Sequence, residues 1–240
     1  ILLFGEIIPK IVGVNLAQRS ANAEKIEFIT TCPECSTELV RTEGEVQHYC
    51  PNATGCPTQI KGKLEHFISR KAMNIDGLGA ETVDALFEQG LIRNCADLYD
   101  LTFHQVVELE RMADKSANNL VEGVEASKIV PFERVLFGLG IRFVGETVAK
   151  KLAFALKNMD AISKATFEEL IAIDEIGDKI AMSIIAYFED HRNIDLIERL
   201  KAKGLQFEVE EKEAASNKFE GMAFVVSGVF NAFSRDELKE

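Results

Sequence analysis

The stretch TFHQVVELERMADKSA, Thr102 to Ala117, returns sixty-four residues later as TFEELIAIDEIGDKIA, Thr166 to Ala181, without a gap. Thr102 and Thr166 each open a capping box, with Gln105 or Glu169 three places on. In such a box the side chains satisfy free N–H groups at a helix start. A short amphipathic helix follows, carrying Val106, Val107 and Leu109 in one copy and Leu170, Ile171 and Ile173 in the other. Then come four residues, ERMA or DEIG, and a second helix that begins at Asp114 or Asp178. An acid in the first turn suits the helix dipole. Ala117 and Ala181 are small enough to let two helices approach closely. Each copy therefore reads as helix, tight hairpin, helix.

Two more copies follow the same pattern: AMNIDGLGAETVDAL (Ala72 to Leu86) and GLGIRFVGETVAKKL (Gly138 to Leu152). Aligned on the hairpin, Gly79, Ala113, Gly145 and Gly177 share one position, at spacings of 34, 32 and 32. Four places further on stand Val83, Ala117, Ala149 and Ala181. Copies 1 and 3 resemble each other, as do copies 2 and 4. A fixed period near 33 is the mark of an internal repeat. A helical solenoid is the alternative, but a solenoid keeps its packing stripe best, and here the hairpin is best kept.

These residues resemble the helix-hairpin-helix family of DNA-binding motifs, whose core is Gly-apolar-Gly with Ala four places on. Copy 1 carries it as Gly77-Leu78-Gly79; the others read Arg111-Met112-Ala113, Phe143-Val144-Gly145 and Glu175-Ile176-Gly177. A hairpin ending at a helix N-terminus offers unpaired N–H groups and a dipole that favour an anion. A DNA phosphate fits, and such contacts position a duplex without reading its sequence. The expected DNA-contacting set is Gly77, Leu78, Gly79, Met112, Ala113, Lys115, Arg142, Val144, Gly145, Lys150, Ile176, Gly177 and Lys179. A carboxylate at position 145 would stand where a phosphate sits, and its Cβ would crowd the turn.

The second signal is cysteine spacing. Cys32, Cys35, Cys50 and Cys56 give C-x2-C-x14-C-x5-C, which suits one tetrahedral zinc in a closed, structural site. His48 reads as a solvated strand residue and Cys95 as a buried small side chain. The finger has little apolar content, so the metal should supply much of its folding energy.

The net charge is −12. Basic character is the usual footprint of a nucleic-acid binder, so this counts against DNA, although backbone donors tolerate it better than a lysine surface would. The span 131–204 sums to −1 and is the least acidic large segment. It carries Arg142, Lys150, Lys151 and Lys179, so copies 3 and 4 should bind best. No apolar run is long enough to span a membrane, and no signal peptide is expected. The chain opens at Ile1 in strand-like sequence without a Met, as a piece of a longer protein would.

The order of parts resembles the C-terminal portion of a bacterial NAD-dependent DNA ligase. Gly5-Glu6-Ile7-Ile8-Pro9 is similar to the end of that family's OB fold, and the four cysteines to its zinc ligands. Phe219, Gly221, Ser227-Gly228 and Ser234-Arg235-Asp236 resemble the start of its BRCT domain. Two departures are Leu2-Leu3-Phe4, where basic residues are expected, and Ser36, where a glycine often follows the second cysteine. The implied fold is mainly α and multidomain: an OB-fold end (1–24), a small β-rich zinc finger (25–60) and a tandem helix-hairpin-helix domain (61–204). Its motifs lie near 66–90, 102–125, 132–156 and 166–189. A linker (205–218) and a truncated α/β BRCT start (219–240) follow.

The resemblance implies an enzyme that seals nicks in duplex DNA during replication and repair. A lysine in a K-x-D-G motif takes AMP from NAD, with magnesium, and passes it to the 5′-phosphate. This chain has no K-x-D-G; Asn74-Ile75-Asp76-Gly77 has Asn at the nucleophile's place. It is therefore expected to hold no catalytic residue, one structural zinc, and the clamp on nicked duplex DNA. Its partner would be the upstream adenylation domain, in a bacterial cytoplasm at the nucleoid, with no membrane. The alternatives are a hairpin module of another repair factor and a zinc-braced helical scaffold that binds protein.

Overall fold

In the computed structural model the described residues are 13, 15–41, 43–44 and 46–210, with the backbone of two short strands. These strands, β1 (Leu2–Leu3) and β2 (Lys10–Ile11), pair antiparallel with Leu2 opposite Ile11. The OB-like Gly5–Pro9 and the BRCT-like residues 219–240 lie outside the described residues.

Helix starts and stops follow local chemistry. α1 (Pro57–Ile68) begins with proline in its first turn, directly after Cys56. Proline is tolerated there because its missing N–H would have had no intrahelical partner. α2 (Ala80–Glu88), α4 (Asp114–Ala126), α6 (Glu146–Leu156) and α9 (Asp178–Glu189) each follow one of the four hairpins. They pair with α1, α3 (Phe103–Val107), α5 (Phe132–Gly138) and α8 (Phe167–Ile171) respectively. The helix, hairpin, helix reading thus holds for all four copies. The box at Thr166 closes on both sides: its Oγ1 accepts from the Glu169 N–H at 3.3 Å, and Glu169 Oε2 accepts from the Thr166 N–H at 2.8 Å. At Thr102 the hydroxyl turns instead to donate to Gln105 Oε1 at 2.8 Å, and the same oxygen accepts the Thr102 N–H.

Val83, Ala117, Ala149 and Ala181 are all wholly buried, as close helix approach requires. Copies 1 and 3 meet through α1 and α5. A Cβ on Gly138 would stand 3.3 Å from the Phe67 ring, and His66 Nε2 lies 2.8 Å from the Phe137 carbonyl oxygen. Copy 1 leans on copy 2, where a Cβ on Gly123 in α4 would come within 2.7 Å of the Asp76 carbonyl oxygen. Copies 3 and 4 are tied reciprocally. Ser183 on α9 donates to the Arg142 carbonyl at 2.7 Å, and Lys151 on α6 reaches Asp174 at 2.6 Å and Glu175 at 3.0 Å.

α7 (Met159–Lys164) and α10 (His191–Ala202) close the domain. Arg199 on α10 bonds Asp97 at 2.7 Å, in the 3-10 turn Cys95–Asp100 between copies 1 and 2. The packed body continues past residue 204. Leu205 and Phe207 are buried, Met159 N–H donates to the Phe207 carbonyl at 2.9 Å, and Val209 N–H to that of Lys157 at 2.8 Å. The expected linker therefore contributes its first five residues to the helical domain.

Gly77 has φ +79°, the left-handed conformation that glycine adopts without steric cost. The other copies keep that conformation without the glycine: Arg111 at 64°, Phe143 at 67° and Glu175 at 64°. Such a residue costs roughly 1–2 kcal/mol relative to an unstrained one. Arg111→Gly should therefore raise stability by about 1 kcal/mol, since the Arg111 side chain is 89% exposed with a long 3.9 Å ion pair to Glu110. A urea titration that gives a lower midpoint for this variant overturns the expectation.

Candidate metal centre and nucleic-acid interface

A β-bridge of Thr31 with Glu38 closes the loop that holds Cys32 and Cys35, and one of Val40 with Tyr49 brings Cys50 toward it. The Cys32–Ser36 turn is closed by the Ser36 N–H donating to the Cys32 carbonyl at 2.8 Å. Ser36 sits at φ 57°, which explains why a glycine suits that place. The four sulfurs of Cys32, Cys35, Cys50 and Cys56 lie within 4.8 Å of one another, with Cys32 to Cys56 at 3.9 Å and Cys35 to Cys50 at 3.5 Å. Four sulfurs at about 2.3 Å from one tetrahedral zinc stand about 3.8 Å apart, so the cluster fits the metal. It is too wide for disulfides. In the thiol cluster itself, Thr37 pulls Cys35 down to about 6, while desolvation pushes Cys50 up to about 11. At Cys56 the Gln59 N–H pulls the value down, but desolvation and the neighbouring thiols outweigh it. Zinc takes all four as thiolates, so its affinity falls as pH drops. His48 stands outside the cluster, stacked on Phe28 at 5.7 Å. Cys95 is buried with its thiol pushed up to about 12, as a core side chain would be.

Side-chain capping divides the helices, and α1 after Cys56 and α5 after Pro131 lack a cap as the hairpin-fed helices do. Asn158, Thr166 and Asp190 cap α7, α8 and α10 with their side chains. α2, α4, α6 and α9 begin at Gly79, Ala113, Gly145 and Gly177, with no side-chain cap. At these four positions φ is −112°, −93°, −80° and −93°, ordinary for any residue. A Cβ added to Gly79, Gly145 or Gly177 meets nothing within 4 Å. The fold does not require these glycines. They leave bare, donor-bearing N-termini open to something outside the chain. The expectation that a Cβ at 145 would crowd the turn is thus corrected: the space is open.

A family profile described as a helix-hairpin-helix motif matches residues 134–197, and one described as the NAD-dependent DNA ligase C4 zinc finger domain matches residues 31–57. A DNA ligase of Flavobacterium psychrophilum is 58% identical over 238 residues, that of Flavobacterium johnsoniae 60% and that of Phocaeicola vulgatus 57%. Over nearly its whole length the chain is similar to one segment of these ligases. In each of these alignments 98% of the chain is matched but only 36% of the relative, so it spans about a third of the ligases it resembles.

Within the chain the sequence-derived set divides by depth. Gly77, Gly79, Ala113, Gly145 and Gly177 are exposed, as are Lys115, Arg142, Lys150 and Lys179. Leu78, Val144 and Ile176 are buried and Met112 is half-buried, so these side chains anchor the hairpins in the core. The Met112, Val144 and Ile176 N–H groups are also taken, donating to the Leu109, Ile141 and Ile173 carbonyls at 3.0–3.1 Å. The open donors are those of the next residue and of the first helical turn. Lys151, outside that set, is held by Asp174 and Glu175, which offsets its contribution to the charge of copies 3 and 4. Two residues carry weight that sequence alone did not assign. Lys71 pairs with Glu146 at 2.9 Å, neutralising the acid at the α6 N-terminus and holding its carboxyl below the usual range. Tyr49 of the finger lies under the Arg142 guanidinium, 4.9 Å from its ring centre. No helix among the described residues is long and apolar enough to cross a membrane.

Proposed function

We propose that this chain is the clamp of a bacterial NAD-dependent DNA ligase: it grips nicked duplex DNA by the phosphate backbone while nick sealing in replication and repair runs on domains upstream. One observation carries the reading. Three of the four hairpin-fed helices begin with a glycine that the backbone does not need, over empty space, with no cap. A phosphate is the ligand such an N-terminus prefers. The exposed Lys115 and Lys179 stand two residues after Ala113 and Gly177, and Arg142 and Lys150 flank Gly145; together they offset part of the acidity. Copies 1 with 2, and 3 with 4, form two pairs that meet the two strands across the minor groove.

The division into an OB-fold end (1–24), a finger (25–60), a helix-hairpin-helix domain from 61, a linker and a BRCT start (219–240) belongs to the same proposal. So do the NAD and magnesium used upstream, the adenylation domain as partner, and a place at the nucleoid.

Titration of unrelated duplexes at several salt concentrations tests the clamp. Affinities should agree across sequences, because backbone contacts carry no base information. The salt slope should be modest, since each phosphate neutralised by a cation adds about 0.9 log units and neutral N–H contacts add little. Strong sequence dependence, or no binding at low salt, overturns the reading and favours the protein scaffold. Incubated with NAD, magnesium and nicked DNA, the chain should acquire no AMP, since it holds no K-x-D-G. A radiolabelled adduct on these 240 residues would sink that part.

A further inference from the structure

Phe143 occupies the apex of the third hairpin. It pays the left-handed strain at φ 67° in a place where glycine would be free of it. It is 48% exposed, so about half of its surface stays open to solvent. The equivalent residues elsewhere are Gly77, the exposed Arg111, and Glu175, which is paired to Lys151. An aromatic ring at this apex is therefore particular to copy 3.

The ring is also braced. The Arg142 guanidinium lies over the Phe143 ring at 4.8 Å and over the Tyr49 ring at 4.9 Å, joining the apex to the zinc finger. From the other side, Ser183 on α9 holds the Arg142 carbonyl at 2.7 Å. An exposed ring held rigid, two residues before the open N-terminus at Gly145, is placed to meet whatever that N-terminus binds.

We propose that Phe143 is an apolar wedge that enters the minor groove of the bound duplex and partly unstacks a base step. The proposal rests on the reading of the hairpins as phosphate binders. Apolar side chains inserted from the minor groove are a known way to kink a duplex without reading sequence. The neighbouring Gly145 N–H would fix the adjacent phosphate, and Arg142 would keep the ring from folding back onto the protein.

The test uses the 240-residue chain and short duplexes carrying 2-aminopurine at successive positions. This base brightens when unstacked. Wild type should raise the fluorescence at one or two adjacent positions. Phe143→Gly and Phe143→Ala should abolish the rise and weaken binding by about 5- to 150-fold, the range for losing one aromatic stacked on a base. Phe143→Leu should retain part of both signals. Phe143→Gly relieves the left-handed strain but gives up the half-buried ring, so thermal melting is run beside the titration to confirm that each variant stays folded. Gly145→Asp separates the outcomes. If Gly145→Asp loses affinity while the Phe143 variants bind as wild type, the wedge is wrong and the phosphate clamp stands. If affinity drops in the Phe143 variants but wild type never brightens the probe, the ring touches without inserting and the wedge is likewise overturned. If no variant loses affinity, both readings fall together.

Discussion

Gly145→Asp should weaken duplex binding by about 1–3 kcal/mol, equally for unrelated sequences, while leaving the protein folded. The substitution is clean for a structural reason. Position 145 is the N-cap of α6 at φ −80°, and an added Cβ meets nothing within 4 Å. Aspartate is a favoured N-cap and exceeds glycine there by a few tenths of a kcal/mol. Its carboxylate would accept from the very N–H groups that a phosphate needs and would repel the phosphate as well. Stability should hold or rise as affinity falls. Ligation by the parent enzyme should drop in parallel if the hairpin presents DNA to the upstream domains. Thermal melting beside a binding titration checks both halves, and unchanged affinity in a folded variant reduces the hairpin to a chain reversal.

Removal of zinc should unfold residues 31–57 and spare most of the helical domain. Among the described residues from 31 to 56, Cys32 and Cys56 are the buried ones, so hydrophobic burial contributes little there. Metal binding in small fingers is worth roughly 10–16 kcal/mol at neutral pH, more than such a segment holds by other means. The helical core, with Leu64, Phe67, Leu86, Leu120, Leu136 and Leu152 wholly buried, does not depend on it. Cys50→Ala should act like a chelator. Elemental analysis should give one zinc per chain for wild type. Hydrogen exchange should show protection lost in the finger and kept in α2, α4 and α6. Collapse of the whole domain on chelation, or a metal-free chain with a protected finger, overturns the prediction. The Tyr49 contact to Arg142 would go with the finger, so DNA binding through the third hairpin should weaken too.

What could be read beforehand was whatever repeats or obeys a fixed spacing. The hairpin period located all four motifs, and the cysteine spacing picked out the four sulfurs that gather. The small residues at Ala117, Ala149 and Ala181 pointed at the helix contacts that form. The conformation at the first glycine position was less legible. Arg111, Phe143 and Glu175 look like departures in sequence, yet the backbone there is the same, because tertiary packing holds a turn whose local preference has been lost. Long-range closure was illegible for a related reason. The Arg199 to Asp97 tie joins residues 102 apart with no shared pattern, and Leu205 to Val209 group in sequence with the polar run that begins at Glu208, although Leu205 and Phe207 pack in the core. The engagement of Lys151 could not be foreseen either, since a lysine's partner depends on which acids the fold brings near.

The reciprocal ties between neighbouring copies have a consequence for direction. A half-turn that exchanges α6 with α9 carries one hairpin toward the other's place. Duplex DNA has a similar dyad, since its strands run oppositely and look alike from the groove. A body with that approximate symmetry grips equally well facing either way along the helix, which suits searching but is blind to polarity. A nick is not symmetric: one side ends in a hydroxyl and the other in a phosphate. The finger and Phe143, each present on one side of the pseudo-dyad, are the marks by which such a grip could acquire a heading before the chemistry begins.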